Sequence, residues 1–394
     1  MKLLVVVPAL GSVYGGPSKS VVELAQSLGK TGISVDLITT NANGQTVVDV
    51  PLQQWIVKDY YRVQYFPYLG IGDYKLSTSI TRWMIKNASS YDLVQTNAIF
   101  SVPNLSAYFA CWLRSVPYVV IPRGMLEPWA LSYKAWKKKI YYALLERPAL
   151  QRADALQMLA STEAAQIEPL HIRSPLLISP NGVCRQDFET LPDSDIFYEV
   201  FPETKNKTII LFLGRIDPKK GLDLLAQSFG KVHEQFPSAH LVIAGPDSVG
   251  FLSTVQRHLA DNNCADAVTF TGMLSGELKY SALSAANYYV APSYSEGFSM
   301  SVLEGMAAGL PCVITTGCNF PEAAQANVAH VVEANVDALT TALMECLSDP
   351  TAAKVMGESA RCFIFNYYTW DKIGINLSEA YHSLLTKQPT PQIA

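Results

Sequence analysis

Two glutamates stand eight residues apart in the segment Ser293–Pro311, SYSEGFSMSVLEGMAAGLP: Glu296 and Glu304. Between them lie one glycine, two serines and apolar residues. Two carboxylates can work as an acid–base couple, or each can hold hydroxyl groups of one polar ligand. The apolar run from about Ser299 to Ala308 predicts a helix whose first amides point into the loop carrying Glu296. A helix start is an anion site, because four N–H groups lack partners there and the dipole end is positive. Glu304 falls about five residues inside that helix, roughly 8 Å along the axis at ~1.5 Å per residue. The spacing therefore suits two ends of one ligand, with its phosphates between, better than an acid–base couple. The plainer alternatives are an ordinary loop glutamate at 296 and a solvated helix face at 304. The second is weakened by Val302, Leu303, Met306, Ala307 and Ala308, which leave little polar face.

A second set of groups suits an anion. In GRIDPKKG, Gly214–Gly221, Arg215 and Lys220 lie five residues apart across a turn containing Pro218. The segment follows the predicted strand Thr208–Leu213, so a guanidinium and an ammonium at a strand end could grip one diphosphate. It is not a P-loop, because Leu follows Gly221 where Lys-Ser/Thr would be needed. Two exposed basic residues in a turn is the plainer reading. Gly15-Gly16-Pro17-Ser18 does not complete a dinucleotide fingerprint. Its two glycines would still allow close approach of backbone to a ligand, or simply a flexible turn. Arg123, in PRGMLEPWAL (Pro122–Leu131), stands at the carboxyl end of another predicted strand, where a site belongs. Just beyond it, YKAWKKKIYY (Tyr133–Tyr142) interleaves Lys134, Lys137, Lys138 and Lys139 with aromatic residues. That pattern could rest on an anionic membrane surface or meet an anionic acceptor; a solvated helix with one buried aromatic side also fits. Asp193-Ser194-Asp195 matches a short metal-site pattern, but three residues recur by chance and these sit in an acidic stretch. The six histidines show no ligand spacing, and no metal or cofactor is expected.

The elements that must position these groups follow from length and pattern. A chain of 394 residues exceeds what one core usually serves, so two domains are expected. With 49% hydrophobic and 16% charged residues the chain has material for buried cores. A net charge of -4 offers no basic field for nucleic acid. Seven scattered cysteines without CxxC fit a reduced, cytoplasmic protein. MKLLVVVPALG reads as a buried first strand rather than a signal sequence, and no run reaches the ~18 apolar residues a span needs. Strand and helix signals alternate: strands at Lys2–Pro8, Ser34–Thr39, Leu93–Gln95 and Tyr118–Ile121, with a helix over Ser18–Leu28. Residues 186–207, polar, acidic and proline-punctuated, look like a linker or surface excursion. The rhythm then restarts. Strands are predicted at Thr208–Leu213, His240–Ala244, Val268–Phe270, Tyr288–Ala291 and Val313–Thr315. The helices between and after them are Leu222–His233, Leu252–Ala260, Leu278–Ala285, Ser301–Ala308 and Val336–Ser348. Continuous apolar strands alternating with helices predict α/β architecture: two doubly wound domains, with a cleft where ligands meet the carboxyl ends of the strands.

Taken in order, these segments resemble the retaining, nucleotide-sugar-dependent glycosyltransferases of family 4. Pro292–Thr315 looks like the family's E-x7-E block, GRIDPKKG like its Arg…Lys diphosphate grip, and SPNGV (Ser179–Val183) like the end of its first domain. The resemblance implies a GT-B fold, two Rossmann-like domains facing across a cleft. Residues 1–185 with the C-terminal helix 370–394 would form the acceptor side, and 186–369 the donor-binding domain. It implies that Arg215 and Lys220 bind the donor diphosphate, Glu304 the ribose hydroxyls and Glu296 the sugar's 3- and 4-hydroxyls. Gly297 and the amides of Phe298, Ser299 and Met300 would line the phosphates, the backbone at Thr271, Gly272 and Met273 would face the base, and Gly15 and Gly16 would lie under the diphosphate. Two departures stand out. Arg123-Gly124 occupies a place where the family often has histidine, and an arginine that stays charged is no proton shuttle; it could stabilise phosphate or sit near the acceptor. Ser299 replaces the second glycine of the usual E-G-F-G.

The implied reaction moves a hexose, read as glucose, from UDP-glucose to a saccharide or lipid-linked acceptor. PRGMLEPWAL resembles blocks in bacterial surface-polysaccharide transferases, which points to polysaccharide assembly in the cytoplasm or at the inner membrane face. Catalysis would rest on Arg215, Lys220, Glu296 and Arg123. The other readings are a UDP-sugar epimerase on the same fold and a non-catalytic nucleotide-sugar-binding protein.

Overall fold

The structure, a computed structural model, describes residues 1–71, 74–127 and 139–388. It divides into two compact units, Met1–Gly182 with the chain from Trp370 on, and Val183–Thr369.

The first unit is built on an eight-stranded sheet. Its strands are β1 (Lys2–Ala9), β2 (Ser34–Thr40), β3 (Trp55–Val57), β4 (Tyr61–Phe66), β5 (Leu93–Asn97), β6 (Tyr118–Ile121), β7 (Ala155–Met158) and β8 (Leu176–Ile178). The order across the sheet is β8-β7-β6-β5-β1-β2-β4-β3. Every pairing is parallel except β3 with β4. The apolar run at the start of the chain is thus a central strand, with Leu3, Leu4 and Val6 fully buried. Helices α1 (Gly16–Lys30), α2 (Thr78–Asn87) and α3 (Val102–Arg114) cover the sheet. Ile80, Met84, Ala107, Tyr108 and Cys111 of α2 and α3 pack into one core with Leu4, Val94 and Val120. The sequence pattern is silent between Thr39 and Leu93, where β3 and β4 add the sheet's far edge.

The second unit has six parallel strands: β9 (Thr208–Leu213), β10 (Ala239–Ala244), β11 (Val268–Gly272), β12 (Tyr288–Ala291), β13 (Cys312–Thr315) and β14 (His330–Val332). Their order is β11-β10-β9-β12-β13-β14, the doubly wound arrangement in which strand order reverses between β9 and β12. The helices are α4 (Leu222–Gln235), α5 (Leu252–Asp261), α6 (Gly276–Ala285), α7 (Met300–Ala307), α8 (Val336–Ser348) and α9 (Pro350–Tyr367). The last helix, α10 (Trp370–Thr386), belongs to the first unit and lies along α1. There Ser27 Oγ donates to the Trp370 carbonyl, and Trp370 Nε1 donates to Glu23 Oε2 at 2.8 Å.

Residues 186–207 are no linker. They form the short helices Gln186–Glu189 and Asp195–Val200 and a 3-10 turn, with Phe188 and Phe197 buried. Asp193 Oδ1 accepts from the Asp195 amide at 3.0 Å, so the acidic triplet starts a helix. Ser281 Oγ on α6 donates to the Asp193 carbonyl at 2.6 Å and accepts from the Phe197 amide at 2.9 Å. Two aromatic anchors outweigh the polar composition that suggested a loose excursion.

Candidate functional site

In the second unit the strand order reverses between β9 and β12, the place where open α/β sheets bind ligands. The loops after these two strands carry Gly214–Gly221 and Pro292–Ser299. They are tied together: the Tyr294 amide donates to the Lys219 carbonyl at 2.8 Å, and Tyr294 Oη donates to Asp223 Oδ2 at 2.7 Å. Gly221 has φ 67°, and a Cβ there would collide with the Pro292 carbonyl. Only glycine serves both demands.

Across this junction Lys220 Nζ donates to Glu296 Oε1 in an ion pair shielded from water. Ser293 Oγ donates to the same oxygen at 2.9 Å, and the Asn319 side-chain amide donates to the Glu296 carbonyl. Burial alone would raise the Glu296 pKa. The charges of Lys220 and Lys219 and the hydrogen bonds from Lys220 and Ser293 outweigh it and hold the carboxyl below the usual range. Burial also pulls the Lys219 ammonium below its ordinary pKa, and the neighbouring Lys220 and Arg215 push it the same way against Glu296. Arg215 is more open, with its guanidinium 3.9 Å from Asp217. Three cations thus crowd one strand end and face one buried carboxylate, an arrangement that would welcome further negative charge.

Glu304 is the fifth residue of α7 and is 7% exposed, beside 8% for Glu296. It is therefore not on a solvated helix face. Lys279, on α6, donates to Glu304 Oε1 at 2.8 Å. The two glutamates form separate ion pairs with different lysines. Between them the start of α7 has no side-chain cap: Ser299 is the N-cap, and its hydroxyl lies 3.2 Å from that of Ser301. The Phe298 ring is fixed among Phe320 and Tyr368, with centroids 5.1 and 6.0 Å away, which holds the loop from Gly297 into Met300. Thr271, Gly272 and Met273 lie at the carboxyl end of β11, Gly272 at φ 68° and Met273 exposed.

In the first unit the reversal falls between β1 and β5. Gly15, at φ 62°, precedes α1, and Gly16 opens it. Four residues with positive φ cluster after β5 and β6: Ala98, Phe100, Arg123 and Gly124. Arg123 Nε and Nη2 donate to Asn97 Oδ1 at 3.0 and 2.8 Å, and Nη1 donates to Ser20 Oγ at 2.9 Å. The guanidinium thus braces the end of β5 against α1. Burial pushes its pKa down to about 10, against the Glu163 charge. Glu163 in turn accepts from the Gly124 and Leu159 amides at 2.6 Å each. Burial raises the Glu163 pKa despite these bonds and Arg123.

The structure therefore brings Arg215, Lys220, Glu296 and Glu304 to one end of one sheet, and places Gly15, Gly16 and Arg123 at the matching end of the other. Lys279, Lys219, Asn97 and Asn319 went unnoticed in the sequence. Lys279 is a lone lysine in a helical run, Asn97 ends a short strand, and nothing in their spacing marks them.

Two parallel-sheet units of this kind, with charged loops at the switch point of the second, define a Rossmann-like GT-B protein. The fold is shared with Anabaena HepE solved with UDP-glucose: TM-score 0.77, 16% identity, 97% of this chain and 100% of that one covered. Two family models match: "Glycosyl transferase 4-like domain" over residues 15–182 and "Glycosyl transferases group 1" over 193–380. Among curated proteins, the chain is 25% identical over 394 residues to the D-inositol 3-phosphate glycosyltransferase of Mycolicibacterium smegmatis, covering 96% of this chain and 89% of that one. It is 28% identical over 209 residues to a GDP-mannose-dependent alpha-(1-6)-phosphatidylinositol monomannoside mannosyltransferase of the same organism, covering 51% of this chain and 54% of that one. The match thus spans about half the length of that mannosyltransferase. The chain belongs to the family 4-type glycosyltransferases, a family of transferase-class enzymes.

Proposed function

We propose that this protein transfers a hexose from a nucleotide-sugar donor to a saccharide or lipid-linked acceptor with retention of the anomeric configuration, and that the donor is UDP-glucose. The carrying observation is the pair of shielded carboxylates, each held by a lysine, on either side of the uncapped start of α7 at the switch point. One nucleotide-sugar meets that pattern along its length: Glu296 takes the sugar's hydroxyls, the α7 amides with Arg215 and Lys220 take the diphosphate, and Glu304 takes the ribose. The UDP-glucose complex of Anabaena HepE supports this donor. The GDP-mannose dependence of the mycobacterial relative is the competing precedent.

Retention by double displacement would need a nucleophilic carboxylate about 5 Å from an acid partner. Both shielded carboxylates are instead neutralised by lysines, which favours front-face substitution. The departing diphosphate takes the acceptor's proton, while Arg215 and Lys220 offset the charge left on it. With those cations and the helix start in place, the mechanism calls on no metal. Titration calorimetry with UDP, GDP and ADP tests the donor, and proton NMR of the glycoside formed tests retention. Absence of binding by all three sinks the reading, and an inverted product sinks the mechanism.

A role in bacterial polysaccharide assembly, in the cytoplasm or at the membrane's inner face, completes the proposal. Most of the basic stretch 133–142 lies outside the described residues. Of the helical residues that follow, Ile140, Leu144 and Leu145 are exposed, as are Lys139 and Arg147. Among the described residues, no helix is long and apolar enough to cross a membrane. Co-sedimentation with phosphatidylglycerol vesicles, lost in Leu144→Asp, is the expected sign of surface contact.

A further inference from the structure

We propose that Lys279 is a positioning residue for the donor's ribose, orienting Glu304 so that the enzyme distinguishes ribonucleotides from their deoxy counterparts. The inference rests on the reading of Glu304 as the ribose ligand and adds a residue that the E-x7-E block does not contain.

The Lys279 ammonium lies 2.8 Å from Glu304 Oε1, with side chains only 16% and 9% exposed. It also lies 4.7 Å from the centroid of the Tyr280 ring. Tyr280 Oη donates to Asp187 Oδ2 at 2.7 Å, so the ring beneath the ammonium is tied to the short helix Gln186–Glu189 of the same unit. The ammonium is therefore fixed from two sides, and its reach to Glu304 is no accident of a mobile surface lysine.

A shielded Lys–Glu pair stabilises a fold poorly, since desolvating two charges cancels most of their attraction. An apolar pair between α6 and α7 would pack as well. The charges are better explained by what the carboxylate does. An ionised carboxylate only accepts hydrogen bonds, at about four lone-pair sites. One is used by Lys279, which fixes the carboxylate plane. A vicinal ribose diol offers two O–H donors to such a group. Without the ammonium, the carboxylate loses the bond from α6 that orients it.

The test is calorimetric binding of UDP, GDP and ADP and of their 2′,3′-dideoxy counterparts. Wild type is expected to prefer the ribonucleotide it binds best by about tenfold or more, the scale of a hydrogen bond to a charged group. In Lys279→Met that preference falls to within about threefold, and Lys279→Arg restores most of it. On a Glu304→Gln background, Lys279→Met changes the preference no further. A merely structural lysine would alter stability, not the ribose preference. If wild type binds none of the three or shows no preference, the ribose reading of Glu304 falls and the proposal with it. If wild type discriminates and Lys279→Met does so equally, only the role of Lys279 is overturned. Should Lys279→Met fail to fold, Lys279→Gln carries the same two readings.

Discussion

Replacing Glu296 by glutamine separates charge from shape at the switch point. The side chain keeps its volume and an oxygen that can accept from Lys220 and Ser293, but the Lys220 ammonium loses its counter-charge. Breaking a buried pair costs about 3–5 kcal/mol, and the retained neutral hydrogen bonds return on the order of 1 kcal/mol. A loss of about 3 kcal/mol should lower the second unit's melting temperature by about 6–12 °C, at ~2–4 °C per kcal/mol for a unit of this size. The loss has a pH signature. Glu296 holds its proton less tightly folded than unfolded. Its contribution is therefore complete above the unfolded carboxyl pKa, ~4.3, and disappears as pH falls through the lower folded value. Calorimetric melts from pH 8 down to pH 3.5 should show a wide gap between wild type and Glu296→Gln at pH 7 that narrows below about pH 4.3. The same variant has an opposite consequence for ligands. Lys220 no longer needs to leave a carboxylate to meet a phosphate, so UDP alone should bind at least as tightly as to wild type. Turnover of the intact sugar donor should fall at least tenfold, because the sugar's hydroxyls lose a charged acceptor. A pH-independent gap, or a large loss of UDP affinity, would refute this account of the pair.

Three further outcomes follow from other residues. Gly221→Ala forces a side chain into φ 67° against the Pro292 carbonyl and should cost about 3 kcal/mol or more in urea unfolding while weakening UDP binding, since it separates the two site loops. Burial raises the Glu146 carboxyl to about 7 against the backbone amides of Phe100 and Ser101, and its Oε2 has no hydrogen-bond partner. Its raised pKa favours the folded state fully below ~4.3, an advantage lost as pH rises through about 7. Glu146→Gln should therefore gain about 3 kcal/mol on wild type between pH 4.5 and 8, measured by urea unfolding across that range. Arg123→Lys should destabilise the first unit by about 2 kcal/mol and leave Arg123→Ala little worse, because one ammonium cannot span Asn97 and Ser20 as the guanidinium does; melting curves of the two variants decide it.

Which parts of this were legible in the chain depends on how far apart the cooperating residues are. Strands Thr208–Leu213 and Tyr288–Ala291 carry the bounds their apolar runs predict, because a central parallel strand is buried on both faces and needs no alternation. The strands Trp55–Val57 and Tyr61–Phe66 were invisible: the first is a three-residue edge strand, and the second, which lies between it and Ser34–Thr40, mixes Arg62 and Gln64 with its apolar residues. Residues 186–207 misled by composition: two phenylalanines bury themselves in a stretch that is otherwise acidic. At the site, motif spacing picked out Lys220 and Glu296 separately, but 76 residues part them and only the fold makes them a pair. Lys279 is harder still. Its partner is on another helix, and one lysine in a helix is the commonest of surface residues.

The pairing of these charges bears on how donor binding would be controlled. Lys220 cannot serve a diphosphate at full strength while it is bonded to Glu296, and Glu296 cannot give that oxygen to a sugar while Lys220 and Ser293 hold it. A nucleotide without sugar relieves only the lysine and leaves a carboxylate among the remaining cations. A sugar without phosphates relieves only the carboxylate. On the proposed reading the complete donor would satisfy both at once, giving Lys220 a phosphate and Glu296 two hydroxyls, so breaking the pair would be compensated only when the whole substrate is present. Selectivity for the intact donor over its product nucleotide would then come from the pair itself, and the affinities of Glu296→Gln for UDP and UDP-glucose should converge where those of wild type stay apart.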